Sequence, residues 1–236
     1  MAKPFKFKEF TVHQDRCAMK IGTDGVLLGA WVPLHRPDCI LDIGSGTGII
    51  ALQLAQRSGA NTIDAVEIDD AAYEQCSENF EASPWADRLF CYHASIQEFA
   101  SEIDESYDLI VSNPPFYRED YKTSNDARDT ARFTDALPFQ HLLVCAAHLL
   151  SRNGHLSVII PKKEEENFLL LAADMDLFPV DICHVKGSNT SEVKRSMILL
   201  SREKKETTVT SLTIETARHH YTEEYIALVK DFYLKM

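Results

Sequence analysis

Short apolar runs rich in β-branched residues alternate along the chain with segments in which apolar residues recur at helical spacing. The apolar runs predict five strands, at residues 39–43, 62–66, 88–92, 107–112 and 155–160. The segments between them predict helices at 47–57, from Asp69 or Asp70 to about 82, from Asp135 to 150, and from Pro161 to about 175. Strands that alternate with helices indicate a parallel sheet covered on both faces.

Two further strands, at about 179–186 and 193–201, follow without a helix between them. Because only antiparallel neighbours can be joined by a short turn, this pair predicts a hairpin at one edge of the sheet. A short closing helix, which Thr222 can cap, would include Phe232 and Tyr233. The expected fold is therefore Rossmann-like α/β: a seven-stranded, mostly parallel sheet with an antiparallel edge hairpin and helices on both faces.

Length and composition are those of an ordinary soluble protein. The 236 residues suit one domain, and 45% of them are hydrophobic and 25% charged. No apolar run approaches the roughly 20 residues of a membrane span, and the N-terminus lacks the features of a secretory signal. Six scattered cysteines without a Cys-x-x-Cys pair indicate free thiols, and nine histidines show no metal-ligand spacing. We expect a cytoplasmic monomer without metal.

The net charge of −12 argues against a nucleic-acid partner, but the charge is unevenly distributed. Residues 1–20 carry five basic and two acidic side chains, and residues 186–205 carry six basic and two acidic ones. Two solvated basic stretches and an electrostatic footprint for nucleic acid both explain this pattern. Charge alone does not decide between them.

The first predicted turn from strand to helix is rich in glycine. Asp42 precedes three alternate glycines, at 44, 46 and 48, which allow a tight turn and a close ligand approach to the helix N-terminus. The Gly-Lys-Ser/Thr ending of a P-loop is absent, whereas a nicotinamide dinucleotide fingerprint fits positions 46, 48 and 51. Glu67, at the end of the second strand, can accept hydrogen bonds from ribose hydroxyls or can cap the next helix. Asp69 suits the capping role better.

The fourth strand ends in the unusual run Ser112-Asn113-Pro114-Pro115-Phe116. Two consecutive prolines fix two φ angles and remove two N–H donors, so nearby carbonyl groups must find partners elsewhere. The run can therefore present hydrogen-bond acceptors beside an aromatic ring. A loop that is merely stiffened by proline is the alternative.

Together these motifs resemble class I S-adenosylmethionine-dependent methyltransferases, and Asn-Pro-Pro-Phe resembles the signature of those that methylate a planar exocyclic amine or amide nitrogen. The resemblance implies S-adenosylmethionine as cofactor. Its methionine and ribose part would contact Asp42, Gly44, Gly46 and Gly48, and Glu67 would hold the ribose. Ile68 would pack on the adenine, while Ala94 and Ser95 would flank the adenine edge.

The resemblance also gives the Asn-Pro-Pro-Phe motif a catalytic role. The lone pair of an exocyclic amine is delocalised into its ring, which makes the amine a poor nucleophile. The amide oxygen of Asn113 and the carbonyl oxygen of Pro114 would accept the two amine hydrogens and direct the lone pair at the methyl group. Pro115 would stiffen the motif, and Phe116 would stack on the base.

The flanking sequences resemble a narrower group. Residues 10–14, 20–31 and 221–234 look like the corresponding segments of the bacterial valine-tRNA methyltransferases that make N6-methyladenosine at nucleotide 37. This implies a tRNA partner, with Thr23 and Asp24 closing over the cofactor. The basic residues expected to contact tRNA are Lys6, Lys8, Arg128, Arg132, Lys194 and Arg195.

The expected organisation is one methyltransferase domain over residues 1–236. It divides into an N-terminal segment over the cofactor (1–37), a Rossmann-like core (38–202) and a C-terminal extension (203–236). Methylation of a guanine amine or of a protein glutamine side chain stays open as an alternative reaction. An RNA-associated protein that binds S-adenosylmethionine without turnover is the non-enzymatic alternative.

Overall fold

A computed structural model of the protein describes residues 3–115 and 137–236. Phe116, Arg128, Arg132 and Asp135 lie outside the described residues. The strands are β1 (Phe5–Lys6), β2 (Thr11–Val12), β3 (Cys39–Ile43), β4 (Thr62–Glu67), β5 (Leu89–His93), β6 (Tyr107–Ser112), β7 (Leu150–Pro161), β8 (Phe178–Ser188), β9 (Val193–Ser201), β10 (Thr208–Ala217) and β11 (His220–Tyr221). The helices are α1 (Thr23–Trp31), α2 (Ile49–Arg57), α3 (Asp70–Glu81), α4 (Ile96–Glu102), α5 (Phe139–Leu149), α6 (Glu165–Ala173) and α7 (Glu223–Val229), with a 3₁₀ turn at Lys162–Glu164.

One sheet of nine strands, in the order β11-β10-β8-β9-β7-β6-β3-β4-β5, forms the centre of the described structure. Strands β3 to β7 run parallel, and β9 runs antiparallel to both β7 and β8. The α/β class, the mostly parallel sheet and the β8–β9 hairpin are therefore confirmed. The parallel strands β3 to β7 all end at one edge, which we call the carboxyl edge.

The expected strand count and hairpin position need correction. The sheet continues past β8 through β10, which is parallel to β8, and β11, which is antiparallel to β10, so the β8–β9 hairpin is not its edge. The sequence of β10 is rich in threonine and mostly exposed, with Leu212 as its buried apolar residue. A strand of this kind lacks the apolar run on which the prediction of strands relied.

Two apolar clusters lie on opposite faces of the sheet. Successive strand residues alternate between them: Ile40 and Leu109 belong to one cluster, and Leu41 and Ile110 to the other. The first cluster includes residues of α1, α2, α3 and α7, and the second includes residues of α4, α5 and α6. Helices therefore cover both faces, as the alternating pattern predicted.

Two predicted helix caps are confirmed. The Asp69 side chain accepts a hydrogen bond from Ala72 N (2.8 Å), and the Thr222 hydroxyl accepts one from Tyr225 N (3.1 Å). The closing helix ends at Val229, however, so the expectation that it includes Phe232 and Tyr233 is wrong. These two residues instead join the ends of the chain, because Phe232 is buried in the core and Tyr233 pairs with Phe7.

Helix α1 was not predicted as an element of its own, although its segment was expected to cover the cofactor. It packs closely on α2, and Gly29 makes this approach possible: a Cβ atom there would lie 2.4 Å from Gln53 Oε1. The six cysteines are free, as expected. Within residues 3–115 and 137–236, no helix is long and apolar enough to cross a membrane.

Candidate active site

The glycine loop (Gly44–Gly48) connects β3 to α2 at the carboxyl edge. Gly44, Gly46 and Gly48 have φ angles of +72°, +54° and +77°, which favour glycine. No atom lies within 4 Å of an added Cβ at Gly44 or Gly46, whereas at Gly48 it would lie 2.6 Å from Phe80 Cε1. The first two glycines therefore border open space, and the third allows the loop to pack on α3.

Asp42 ends up fully buried directly before the glycine loop. Its Oδ2 atom accepts a hydrogen bond from Ala51 N (3.2 Å) in α2, but Oδ1 has no partner among the described residues. Burial raises the pKa of this carboxyl to about 7, against the opposing hydrogen bond from Ala51. A buried oxygen without a partner, beside a loop that borders open space, suits a ligand that brings a donor or a positive charge.

Glu67, at the end of β4, ties the glycine loop to the neighbouring strand. Its Oε2 atom accepts a hydrogen bond from Gly46 N (2.7 Å), and Oε1 accepts from Ile68 N (2.9 Å) and Asp69 N (3.0 Å). A carboxylate has about four lone-pair positions, so these bonds leave acceptor capacity on Oε2. Since Asp69 caps α3, Glu67 is not the helix cap.

The residues after β4 and β5 form the next part of the site. Ile68 is 58% exposed and directly follows the buried Glu67, so it offers an apolar surface beside that carboxylate. Ala94 N donates a hydrogen bond to Glu67 O (3.2 Å), and His93 Nε2 lies 3.1 Å from Ile68 O. Ser95 caps α4 in a reciprocal pair with Glu98. The structure therefore brings Ile68, Ala94 and Ser95 to one place.

Asn113, Pro114 and Pro115 leave the sheet beside the glycine loop. Strands β3 and β6 are parallel neighbours with Ile43 opposite Ser112, and the buried Ser112 hydroxyl donates a hydrogen bond to Ile43 O (2.8 Å). Pro114 is buried, Pro115 is exposed and Asn113 is partly exposed. The sequence offered one signal for the role of Ser112, a hydroxyl at the end of the apolar run 109–111, from which no role was predicted.

Thr23 and Asp24 form the first turn of α1, and Asp24 has an unexpected partner. Arg195 Nε lies 2.7 Å from Asp24 Oδ2, and the side chains are only 24% and 27% exposed. The sequence had suggested different ligands for the two residues, tRNA for Arg195 and the cofactor for Asp24. The ion pair joins them and holds the start of α1 against β9.

The basic residues expected to contact tRNA do not form one group. Lys194 and Arg195 are the second and third residues of β9, at the carboxyl edge, where Arg195 lies opposite Pro161. Lys8 instead donates to Lys230 O (2.5 Å) and lines a cleft with Arg57 at the far end of α2, about 13 Å along that helix from the glycine loop. Lys6 lies nearby in β1. The geometry does not support one RNA-binding face made of both basic stretches.

A second polar network beyond β7 had no signal in the sequence. The Glu165 carboxylate contacts Lys162 Nζ (2.5 Å), His184 Nε2 (2.9 Å) and the Ser196 hydroxyl. Burial opposes its ionisation, but the hydrogen bonds from Lys162, Ser196 and His184 outweigh burial and lower the pKa of this carboxyl. The network fastens α6 to the base of the β8–β9 hairpin.

Comparison with known proteins identifies the family. A model of the family described as methyltransferase small domain matches residues 20–174. The chain is 61% identical over 233 residues to the tRNA1(Val) (adenine(37)-N6)-methyltransferase of Flavobacterium psychrophilum, which covers 98% of this chain and 100% of that protein. Proteins of the same name from Trichodesmium erythraeum and Pectobacterium carotovorum are 48% and 45% identical, each over 98% of this chain.

The chain belongs to the tRNA1(Val) (adenine(37)-N6)-methyltransferase family. Solved structures support the fold at much lower identity. A protein from Agrobacterium tumefaciens described as a predicted O-methyltransferase superimposes with a TM-score of 0.66 at 16% identity, over 89% of this chain and 96% of that one. The fold is that of the class I S-adenosylmethionine-dependent methyltransferases.

The residues at the carboxyl edge fit the cofactor of this fold class. A ribose needs a hydrogen-bond acceptor, which Glu67 provides, and an adenine needs an apolar surface, which Ile68 provides. The open space beside Gly44 and Gly46 leaves room for a further part of the cofactor, and Asp42, with its unpartnered oxygen, precedes this loop in the sequence. In the described part of the chain, no group of three or more His, Cys, Asp or Glu side chains could hold a metal ion.

Proposed function

We propose that this protein methylates N6 of adenosine at nucleotide 37 of valine tRNA, next to the anticodon, with S-adenosylmethionine as the methyl donor. Family membership supports the reaction and the substrate. The observation that carries the mechanism is the hydrogen bond from Ser112 to Ile43, which fixes the start of the Asn-Pro-Pro-Phe motif beside the glycine loop. The segment that would hold the methyl acceptor and the segment that would hold the methyl donor therefore follow adjacent strands of one sheet.

The cofactor would be held by residues on both sides of this junction. Glu67 would accept hydrogen bonds from the ribose hydroxyls. Ile68 would cover the adenine, with Ala94 and Ser95 at the adenine edge. Asp42 and the glycine loop would border the methionine part. Thr23 and Asp24 close over it from α1. When bound, S-adenosylmethionine supplies a methyl group on a positively charged sulfur, which is already a strong electrophile. The chain therefore has no need of a metal at this site.

The acceptor residues align the target amine. The Asn113 amide oxygen and the Pro114 carbonyl oxygen accept its two hydrogens, which concentrates the nitrogen lone pair on the side facing the methyl group. Pro114 and Pro115 cannot donate N–H groups that would compete for these oxygens. Phe116, which lies outside the described residues, stacks on the adenine and keeps it in plane.

The rest of the chain serves this single domain in the proposed organisation. Residues 1–37 form the N-terminal segment, of which Thr23 and Asp24 would cover the cofactor, residues 38–202 form the core, and residues 203–236 extend the sheet beyond β8. We propose a monomer that acts in the cytoplasm, where tRNA is available. Lys6, Lys8, Arg128, Arg132, Lys194 and Arg195 stay as proposed RNA contacts, with the first two on a surface separate from the last two.

Two measurements on the purified protein test the proposal. Nucleoside mass spectrometry of a valine tRNA transcript after incubation with S-adenosylmethionine should show N6-methyladenosine, and replacing adenosine 37 by guanosine should abolish it. Titration calorimetry should show binding of the demethylated cofactor product and none of NAD. If a methylated product forms on the guanosine transcript or on a protein glutamine, that group is the methyl acceptor and adenine is not. Cofactor binding without any methyl transfer would support the non-enzymatic alternative.

A further inference from the structure

The structure divides the basic stretch at residues 186–205 between two edges of the sheet. Lys186 and Lys194 lie near the hairpin turn between β8 and β9, at the carboxyl edge. Lys204 and Lys205 follow the other end of β9, at the opposite edge. Nine residues of extended chain separate the two groups by about 30 Å. The stretch is therefore not one surface, and only its first half lies on the same edge as Asn113.

The C-terminal extension brings further basic residues to the carboxyl edge. Strand β10 runs parallel to β8 with Glu215 opposite Ser188, so the turn after β10 lies beside the β8–β9 hairpin turn. In this second turn His219 adopts a left-handed conformation (φ +64°), and Arg218, His219 and His220 are all exposed. The β8–β9 hairpin turn and the turn after β10, which are far apart in the sequence, thus lie side by side at the carboxyl edge.

The local charge of these two turns is opposite in sign to that of the whole protein. Residues 184–196 and 213–221 together carry four basic and two acidic side chains, whereas the chain has a net charge of −12. Arg195 is bonded to Asp24, but Lys186, Lys194 and Arg218 have no ion-pair partner in the part of the chain that the structure describes. Of the two acids, Glu215 accepts a hydrogen bond from His219 N (3.4 Å), and Glu192 is exposed at the hairpin turn.

We propose that Lys186, Lys194 and Arg218 form a basic rim that binds the phosphates of the RNA strand flanking the target nucleotide. This inference rests on the proposed function, and it assigns substrate binding to the C-terminal extension. Cations without an ion-pair partner attract a phosphate backbone, whereas the acidic remainder of the chain repels a polyanion that binds elsewhere. The Glu165 network fastens the base of the hairpin, so that Lys186 and Lys194 project from a rigid support.

The strand order sets the reach of the rim. Asn113 directly follows β6. Two, three and four strand spacings separate β6 from β9 with Lys194, β8 with Lys186 and β10 with the second turn, so the rim lies about 10–19 Å away. A stacked RNA strand advances by roughly 3.4 Å per nucleotide, so the rim would meet phosphates roughly three to six nucleotides from the target. These phosphates belong to an RNA longer than a short oligonucleotide centred on the target adenosine.

The test compares a rim variant with a matched control from the same basic stretch. Lys186→Gln, Lys194→Gln and Arg218→Gln are combined, and Lys205→Gln removes one like charge at the opposite edge, where its partner is Glu203 (2.6 Å). Binding of valine tRNA is measured across a salt series. The triple variant should bind more weakly, with its salt slope reduced by about one per lost phosphate contact, whereas Lys205→Gln should keep the wild-type slope. Unfolding temperatures confirm that each variant is folded.

Methyl transfer separates the rim from the proposed function itself. The triple variant should show a raised KM for tRNA and a wild-type rate on a short single-stranded oligonucleotide that cannot reach the rim. A triple variant with the wild-type salt slope, or a Lys205→Gln variant whose slope also falls by about one, the loss expected for one phosphate contact, would overturn the rim. Absence of methyl transfer by the wild-type protein would instead contradict the proposed function, and the salt series would still decide whether the rim binds RNA.

Discussion

The hydroxyl of Ser112 donates a hydrogen bond to the carbonyl oxygen of Ile43 over 2.8 Å, and each of the two residues ends its strand. The next residue in one strand is Asn113, and the next in the other is Gly44. This bond therefore joins the segment proposed to hold the target amine to the segment proposed to hold the cofactor. Catalysis by alignment depends on such a junction, because a shift of about 1 Å between reacting groups can cost roughly 100-fold in rate.

Replacing Ser112 by alanine should misalign the two segments without removing any proposed ligand contact. We expect the free energy of unfolding to fall by about 0.5–1.5 kcal/mol, the usual contribution of one such hydrogen bond. Single-turnover methyl transfer should slow, while cofactor affinity stays near that of the wild type. Ser157→Ala is the matched control, since Ser157 is also fully buried in a strand but its hydroxyl has no partner in the described structure. Equal effects of the two substitutions would contradict the role given to the Ser112 bond.

The buried carboxyl of Asp42 should make stability depend on pH. Burial raises its pKa to about 7 in the folded protein, whereas an unfolded chain loses this proton near pH 4. Between these values the folded state binds more protons than the unfolded state, so the free energy of unfolding should fall as pH rises from about 4 to 7. Asp42→Asn should remove that part of the dependence.

Denaturant unfolding across this pH range, without cofactor, is the measurement. The exposed Asp87 provides a control for the substitution itself, and Asp87→Asn should retain the fall in stability that Asp42 causes. If Asp42→Asn and wild type show the same dependence on pH, Asp42 does not hold its proton in the folded protein. Cofactor affinity of wild type should in turn rise with pH through the same range, since ionised Asp42 suits a cationic ligand.

The ion pair between Asp24 and Arg195 should support cofactor binding by holding the first turn of α1 in place. Asp24→Asn and Arg195→Gln should weaken cofactor affinity by similar factors, and the double variant should be no worse than either single one. Titration calorimetry of the four proteins measures this coupling. If Arg195→Gln weakens only tRNA binding and Asp24→Asn weakens neither ligand, Arg195 acts on RNA and the pair has no positioning role.

Local rules were enough to predict much of the fold. The strands β3 to β9 follow from apolar runs, and the caps at Asp69 and Thr222 follow from the preference of these residue types for helix N-termini. Strand β10 was missed because it is a mostly exposed, threonine-rich strand whose pairing with β8 spans about 30 residues. Its fit to the sheet is decided by that partner and not by its own composition.

The candidate site likewise combines features that local sequence predicts with contacts that only the fold reveals. The glycine loop, Glu67 and residues 113–115 each follow or end a strand that an apolar run marks, and the sequence was sufficient to predict that they lie at the same edge of the sheet. The pairing of Asp24 with Arg195 joins residues that are 171 positions apart, and no local pattern marks it. The separation of Lys8 from Lys194 likewise depends on which end of α2 Lys8 lies beside and which end of β9 Lys194 occupies. Such relationships follow from topology, which charge counts along a sequence do not contain.

Single-turnover methyl transfer to unmodified valine tRNA by Asn113→Ala tests the central claim most directly. Removing one preorganised hydrogen-bonding group typically lowers the rate by roughly 100- to 1,000-fold, and we expect a loss in that range with cofactor affinity intact. Asn61→Ala, in an exposed position before β4, should transfer at the wild-type rate. Transfer by Asn113→Ala at the wild-type rate would show that the motif is only a stiff loop and would contradict the mechanism.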